Sequence, residues 1–94
     1  DTRTLYGAEA KYLVALQLYK AHEYAAAEKE ILNFIEQSTP PAYWLARSFI
    51  LLSDVYVAMD KKLDARQYLL SLQQNYHADD DIEQMINERL EKLK

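Results

Sequence analysis

One pattern of small and bulky residues occurs twice in this chain, and the second copy follows the first at an offset of 38 residues. Small residues hold two of its positions: Ala15 with Ser53, and Ala27 with Ala65. The other aligned pairs are Ala8 with Ala46, Leu18 with Tyr56, Ile31 with Leu69, and Phe34 with Leu72. The bulky residues recur at helical spacing, and small residues between them allow two helix backbones to approach closely. The pattern therefore predicts two helical hairpins.

Short breaks in the helical spacing set the boundaries of the two hairpins. We place the first hairpin at residues 8–37 and the second at residues 41–76. Residues 38–41, with the sequence Ser-Thr-Pro-Pro, separate the two hairpins. A hydroxyl side chain caps the start of a helix, and the first turn of a helix tolerates proline, so a new helix can begin here. Residues 1–6 carry no clear period and are expected to form a lead-in.

A fifth helix is predicted at residues 79–94. Three successive aspartates at 79–81 would lie at its positive end, where negative charge is stabilising. Its apolar residues fall on one stripe: Ile82, Met85, Ile86, Leu90 and Leu93. Glu88 and Lys92 are expected to face away from that stripe and to pair with each other at i, i+4 spacing. A helix with one apolar face is what a terminal cap of a repeat stack requires.

Composition limits the classes of function. A chain of 94 residues forms one small domain, and its net charge of −4 argues against a nucleic-acid partner, which needs a basic surface. The absence of cysteine excludes a disulfide framework, a thiolate zinc site and a cysteine nucleophile. No apolar run approaches the roughly 18 residues of a membrane span. Because the chain begins at Asp1 rather than Met, we expect it to be a fragment of a longer chain.

No arrangement of residues predicts a metal, a cofactor or a catalytic site. His22 and His77 stand at predicted helix ends without ligands at zinc spacing, and we expect both to be solvated. A calcium loop counted from Asp79 would need Gly at its sixth position and Glu at its twelfth, where this chain has Gln84 and Leu90. The serines of the predicted helices lack a histidine partner. We therefore expect no enzymatic activity.

The repeated residues resemble the tetratricopeptide repeat, a family with two helices in each 34-residue repeat. The matching residues of the second copy are Phe49, Leu52, Ser53, Tyr56, Ala65 and Leu69. Those of the first copy are Lys11, Val14, Ala15, Leu18, Ala27 and Ile31, with Lys11 in place of the usual aromatic residue. Helical spacing assigns Val14, Ala15 and Leu18 to the buried face. The resemblance covers residues 8–76 and implies an all-α fold, a right-handed solenoid of two hairpins with the fifth helix as its cap.

In this family the inner face of the first helix of each hairpin is the ligand groove. Carried over residue by residue, the groove comprises Glu9, Tyr12, Leu16, Tyr19 and Lys20, then Arg47, Ile50, Asp54, Val57 and Ala58. Tyr12, Tyr19 and Ile50 would be its anchors. The Lys and Asn residues with which some members hold a C-terminal carboxylate are absent, since Tyr12, Leu16 and Leu51 occupy those places. A groove of tyrosine and aliphatic residues suits an apolar or helical segment of a protein partner.

The resemblance implies a non-catalytic module for protein interaction or scaffolding. The alternative is a structural role, in which these helices end a longer repeat array or mediate self-association while binding occurs elsewhere. The spacing is also similar to that of bacterial extracytoplasmic repeat proteins, such as the outer-membrane assembly lipoproteins. That similarity favours a periplasmic or outer-membrane-attached location over a cytoplasmic one.

Overall fold

The computed structural model describes residues 5–37 and 41–94, and its secondary structure in these two ranges is entirely helical. Its five helices are α1 (Leu5–Lys20), α2 (Tyr24–Gln37), α3 (Ala42–Ala58), α4 (Lys62–Asn75) and α5 (Ile82–Lys92). The predicted all-α class is thereby confirmed. The predicted break at Ser38, Thr39 and Pro40 lies outside the described residues. No described helix combines the length and apolar character needed to cross a membrane.

The turn between α1 and α2 has the same geometry as the turn between α3 and α4. His22 and Asp60, which are 38 residues apart, both adopt a left-handed backbone conformation, with φ of 63° and 62°. The next amide in each turn reaches back into the helix: Glu23 N–H donates to the Leu18 carbonyl at 2.9 Å, and Lys61 N–H donates to the Tyr56 carbonyl at 2.7 Å. This bond satisfies a carbonyl that the helix end leaves free. The repeat therefore extends to the backbone of the turns.

The small residues of the repeat lie where helices pack closely. Ala27 and Ala65 are fully buried, and Ala15 and Ser53 are at most 3% exposed. α1 packs on α2, α2 on α3, and α3 on α4, with one cluster of buried residues running through these contacts. A larger side chain at these positions would force the helix backbones apart.

The helices form two layers. The molecule measures 38 × 32 × 19 Å, and its smallest dimension is about two helix diameters of roughly 10 Å. α3 packs on both α1 and α5, whereas α2 and α4 make no contact with each other among the described residues. One layer therefore consists of α1, α3 and α5, and α2 and α4 lie behind it.

α5 is part of the core. Ile82 and Ile86 are at most 2% exposed and lie in a second buried cluster with residues of α3 and α4. At the start of α5, the Ile82 N–H donates a hydrogen bond to Asp80 Oδ1 at 3.0 Å. Asp81, the residue directly before the helix, makes no such bond. The predicted apolar face of this helix is thus buried against the rest of the fold.

One face of α1 differs from the prediction. Val14, expected on the buried face, is 49% exposed, and Leu13 beside it is 46% exposed. The corresponding residues of α3, Leu51 and Leu52, are 2% and 0% exposed. The reason is that α1 and α2 cover this part of α3, whereas no described element covers the same part of α1. The sequence spacing predicts which residues form the apolar face of α1, but it does not predict whether another helix covers that face.

Candidate functional site

Residues of α1, α3 and α5, together with Lys62 and Leu69 of α4, line an open cavity of about 720 Å³, which we call the inner cavity. This volume lies within the roughly 300–1,000 Å³ typical of ligand pockets. Six of the ten predicted groove residues line it: Tyr12, Leu16, Tyr19, Arg47, Asp54 and Val57. The structure therefore brings together residues that are up to 45 positions apart in the sequence.

The apolar part of the inner cavity comes mainly from α1 and α3. Val57 is 38% exposed. Leu16 and Tyr19 are half-buried, and the Tyr19 ring lies 5.9 Å from that of Tyr24. Burial, followed by the nearby Asp54 carboxylate, raises the pKa of the Tyr19 hydroxyl, which therefore stays protonated at neutral pH. Tyr19 thus offers both an apolar ring and a neutral hydrogen-bonding group.

Tyr12, predicted as an anchor of the groove, is buried. Its side chain is 7% exposed, and its ring lies 5.4 Å from the ring of Trp44 on α3. The Arg47 guanidinium lies 5.2 Å from the centre of the ring and donates from Nη2 to the Tyr12 hydroxyl at 3.3 Å. Tyr12 therefore forms the back wall of the inner cavity and contributes mainly to the packing of α1 on α3.

Arg47 joins α3 to the start of α5. Its Nη1 donates to the Tyr43 hydroxyl at 3.0 Å and lies 3.5 Å from Asp81 Oδ2, while the Tyr43 hydroxyl donates to Asp81 Oδ1 at 2.9 Å. Its Nε is buried and has no hydrogen-bond partner in the described part of the chain. Burial alone would lower the pKa of Arg47, but the hydrogen bonds with Tyr12 and Tyr43 outweigh it and raise that pKa. The guanidinium is therefore a fixed positive charge at one end of the cavity.

Asp54 makes a two-point ion pair with α5. Arg89 donates from Nε to Asp54 Oδ1 at 3.2 Å and from Nη2 to Oδ2 at 3.1 Å. The two side chains are 22% and 29% exposed, so this pair is partly shielded from water. Bidentate pairs of this kind are directional as well as charged. Asp54, one of the predicted groove residues, lines the cavity and also holds α5 against α3.

Four of the predicted groove residues do not line the inner cavity: Glu9, Lys20, Ile50 and Ala58. Ile50, predicted as an anchor, is 1% exposed and packs in the second buried cluster beside Ile82 and Ile86, so it is not available to the cavity. The physical reason is that α5 covers this side of α3. Glu9 is exposed but does not line the cavity, and the same holds for Lys20.

α5 supplies a wall of the cavity that the sequence analysis missed. Glu88 and Lys92, expected to face away and to pair, both line the cavity, and no ion pair joins them in the part of the chain that the structure describes. A second offset, of 34 residues, would have indicated this placement. It aligns the buried Ser48 and Leu52 of α3 with Ile82 and Ile86 of α5, and all four are at most 2% exposed.

The two histidines lie at helix ends, as predicted. His22 is exposed in the first turn and stacks on Tyr24 at 5.7 Å, and His77 Nε2 lies 3.0 Å from the Gln74 carbonyl oxygen. Within residues 5–37 and 41–94, no group of three or more His, Asp or Glu side chains is placed to hold a metal ion. The candidate site is therefore the inner cavity.

Comparison with known proteins finds no relative. No protein-family model, no curated protein and no solved structure matches this chain. A proposal for function must therefore be based on the residues and geometry of the inner cavity.

Proposed function

We propose that this chain is a non-catalytic protein-interaction or scaffold module, and that its inner cavity binds an apolar or helical segment of a protein partner. The observation that carries the proposal is the open cavity of about 720 Å³, in which the exposed Val57 and the half-buried Leu16 and Tyr19 form one apolar wall. Aromatic and aliphatic groups that lose contact with water on binding contribute most of the energy of an interface.

The fold that we propose is a right-handed solenoid of two tetratricopeptide-like hairpins, residues 8–37 and 41–76, with α5 as the capping helix. Three observations support it: the buried small residues at an offset of 38, the identical turns at His22 and Asp60, and the placement of α5 on α3 and α4. In such a fold the first helices of successive hairpins form the inner surface, which here means α1, α3 and α5. The net charge of −4 supports a protein rather than a nucleic acid as the partner.

A pair of variants tests whether the inner cavity is the binding site. Combining Tyr19→Ala with Val57→Ser removes two cavity side chains that are not fully buried, so the variant should stay folded and lose capture of native partner proteins. Leu63→Ser is the matched control, because Leu63 is 73% exposed and does not line the cavity. Thermal melts of each protein report the folded fraction, and quantitative pull-down reports the binding. The proposal would be refuted if partner capture fell only in proportion to the folded fraction of the double variant. It would also be refuted if Leu63→Ser lost capture to the same extent.

The alternative function is structural: α1 would pack on a preceding repeat of a longer array or on a second copy of this chain. The observation that favours it is the open face of α1, where Leu13 and Val14 are 46% and 49% exposed although their counterparts on α3 are buried under other helices. Sedimentation analysis over a range of concentrations tests the self-associating form. Self-association would be supported by a parent protein with the mass of an oligomer and a Leu13→Gln/Val14→Gln variant with the mass of a monomer. A monomeric parent protein would exclude self-association.

The cellular location belongs to the proposal as well. A periplasmic or outer-membrane-attached location is supported by the similarity in spacing to bacterial extracytoplasmic repeat proteins. Fractionation of the native cells, with the protein detected by antibody, tests this placement. Recovery in the cytoplasmic fraction would contradict it.

A further inference from the structure

We propose that the segment bound in the inner cavity is acidic as well as apolar, an amphipathic segment whose Asp or Glu side chains bind Lys62 and Lys92. This inference depends on the proposed function, because it concerns the partner of that same cavity. It is carried by the charges that line the cavity and by the pairing of those charges within the fold.

The inner cavity has the opposite sign of charge to the protein as a whole. Six charged side chains line it, four of them cationic and two anionic: Arg47, Lys62, Arg89 and Lys92 against Asp54 and Glu88. The lining therefore carries a charge of +2, on a chain whose net charge is −4. A cavity of this sign attracts an anionic segment over several ångströms and repels a cationic one.

Of the four cations that line the inner cavity, only Lys62 and Lys92 lack an ion pair with a described residue. Arg89 is held by Asp54 at 3.1 Å, and Arg47 by Asp81 at 3.5 Å. Lys62 and Lys92, by contrast, have no carboxylate within 4.0 Å among the described residues. Their ammonium groups can therefore bind a carboxylate of a partner without first breaking an ion pair of the fold.

The charges are distributed unevenly around the cavity. α1 contributes only Tyr12, Leu16 and Tyr19 to the lining, and none of them is an Asp, Glu, Lys or Arg residue. Lys62 is the first residue of α4, and Lys92 is the last residue of α5. A bound segment can therefore place apolar side chains against α1 and carboxylates toward the ends of α4 and α5. Glu88 disfavours carboxylates close to its own position, so the acidic residues should be directed to the two lysines.

Three synthetic peptides with one apolar stripe and different polar residues test this inference. The stripe has leucine at i, i+3, i+4 and i+7, and the remaining positions are glutamate, glutamine or lysine. Fluorescence anisotropy measures affinity, and amide chemical shifts of the labelled protein locate the binding. We expect the glutamate peptide to bind most tightly in the inner cavity, the lysine peptide to bind weakest, and the difference to shrink as salt is raised.

Lysine variants identify the groups responsible. Lys62→Gln/Lys92→Gln should weaken binding of the glutamate peptide about 2- to 30-fold, as expected for the loss of two exposed ion pairs. Lys11→Gln/Lys29→Gln is the matched control, because it makes the same change in net charge outside the cavity lining. An equal effect of both double variants would show only a general charge effect and would overturn the inference.

The remaining outcomes separate this inference from the proposed function. Equal binding of the glutamate and glutamine peptides, lost in Tyr19→Ala/Val57→Ser, would overturn the acidic preference and leave the proposed function standing. Chemical-shift changes outside the inner cavity, or none with any peptide at millimolar concentration, would overturn both.

Discussion

Enlarging Ala27 tests whether the small residues of the repeat set the distance between the helices. Ala27 is fully buried, whereas Ala26, the residue before it on the same helix, is exposed. Replacing either by leucine adds the same isopropyl group to α2. The two variants therefore differ only in the direction in which the added group points.

The structure gives the expected size of the effect. An enlarged side chain in a well-packed core costs about 1 to 3 kcal/mol of the free energy of unfolding, because neighbouring side chains and helices must move. For a domain of this size each kcal/mol lowers the melting temperature by about 4–8 °C, which gives about 4 to 24 °C for Ala27→Leu. An exposed substitution usually changes stability by less than about 0.5 kcal/mol, so Ala26→Leu should shift the melting temperature by no more than about 4 °C.

Circular dichroism during heating and during urea titration provides the assay. Both variants should retain the helical signal of the parent protein at low temperature, and only Ala27→Leu should melt substantially earlier. Ala65→Leu should behave like Ala27→Leu, because Ala65 holds the same position of the second copy and is equally buried. Equal melting temperatures for Ala26→Leu and Ala27→Leu would refute the helix register on which the repeat is based.

Three further perturbations test other parts of the fold. Ile86→Ala should lower the free energy of unfolding in urea by about 2 to 5 kcal/mol, because Ile86 is 2% exposed. Asn87→Ala, at the exposed neighbouring position, should change that free energy little, and equal effects of the two variants would show that α5 is not docked. Asp54→Asn should cost about 1 to 3 kcal/mol, because Arg89 then lacks its carboxylate, and an unchanged urea midpoint would contradict that role. Burial and, after it, the hydrogen bond with Asp80 raise the pKa of Tyr76 from 10.0 to about 12. The contribution of Tyr76 to stability is therefore complete below pH 10.0 and is lost as pH rises through about 12. Tyr76→Phe should therefore reduce the alkaline loss of stability, and an unchanged profile would contradict the shift.

The sequence predicted the elements of this fold because its helical spacing repeats. The spacing of Ala15, Ala27, Ser53 and Ala65 identified the positions where helices approach, and all four are buried. The outer bounds of the predicted elements lie within three residues of those observed: α1 begins at Leu5, three residues before the predicted start, and α5 begins at Ile82, three residues after it. A helical period shows which residues share one face of a helix. That information is sufficient to predict the helices and the small residues at which they contact each other.

The sequence could not predict what covers each face. Ile50 and Val57 lie on the same predicted face of α3, yet one is 1% exposed and the other 38%, because α5 covers only part of that face. The ion pairs of Arg47 and Asp54 likewise join residues 34 and 35 positions away on α5 or just before it. Such pairs depend on the relative placement of whole helices. The burial of Tyr12 against Trp44 has the same origin.

Crosslinking from Val57 tests most directly the central claim, that the inner cavity is where a partner segment binds. A photoreactive benzoylphenylalanine replaces Val57 in one protein and Leu63 in the other, and each is irradiated in the native cells. Leu63 is the more exposed of the two, at 73% against 38%, so nonspecific contact would favour it. We predict that position 57 alone yields a discrete adduct, and that mass spectrometry assigns it to one acidic, amphipathic segment of one protein. Adducts that are equally abundant or more abundant at position 63 would contradict the claim.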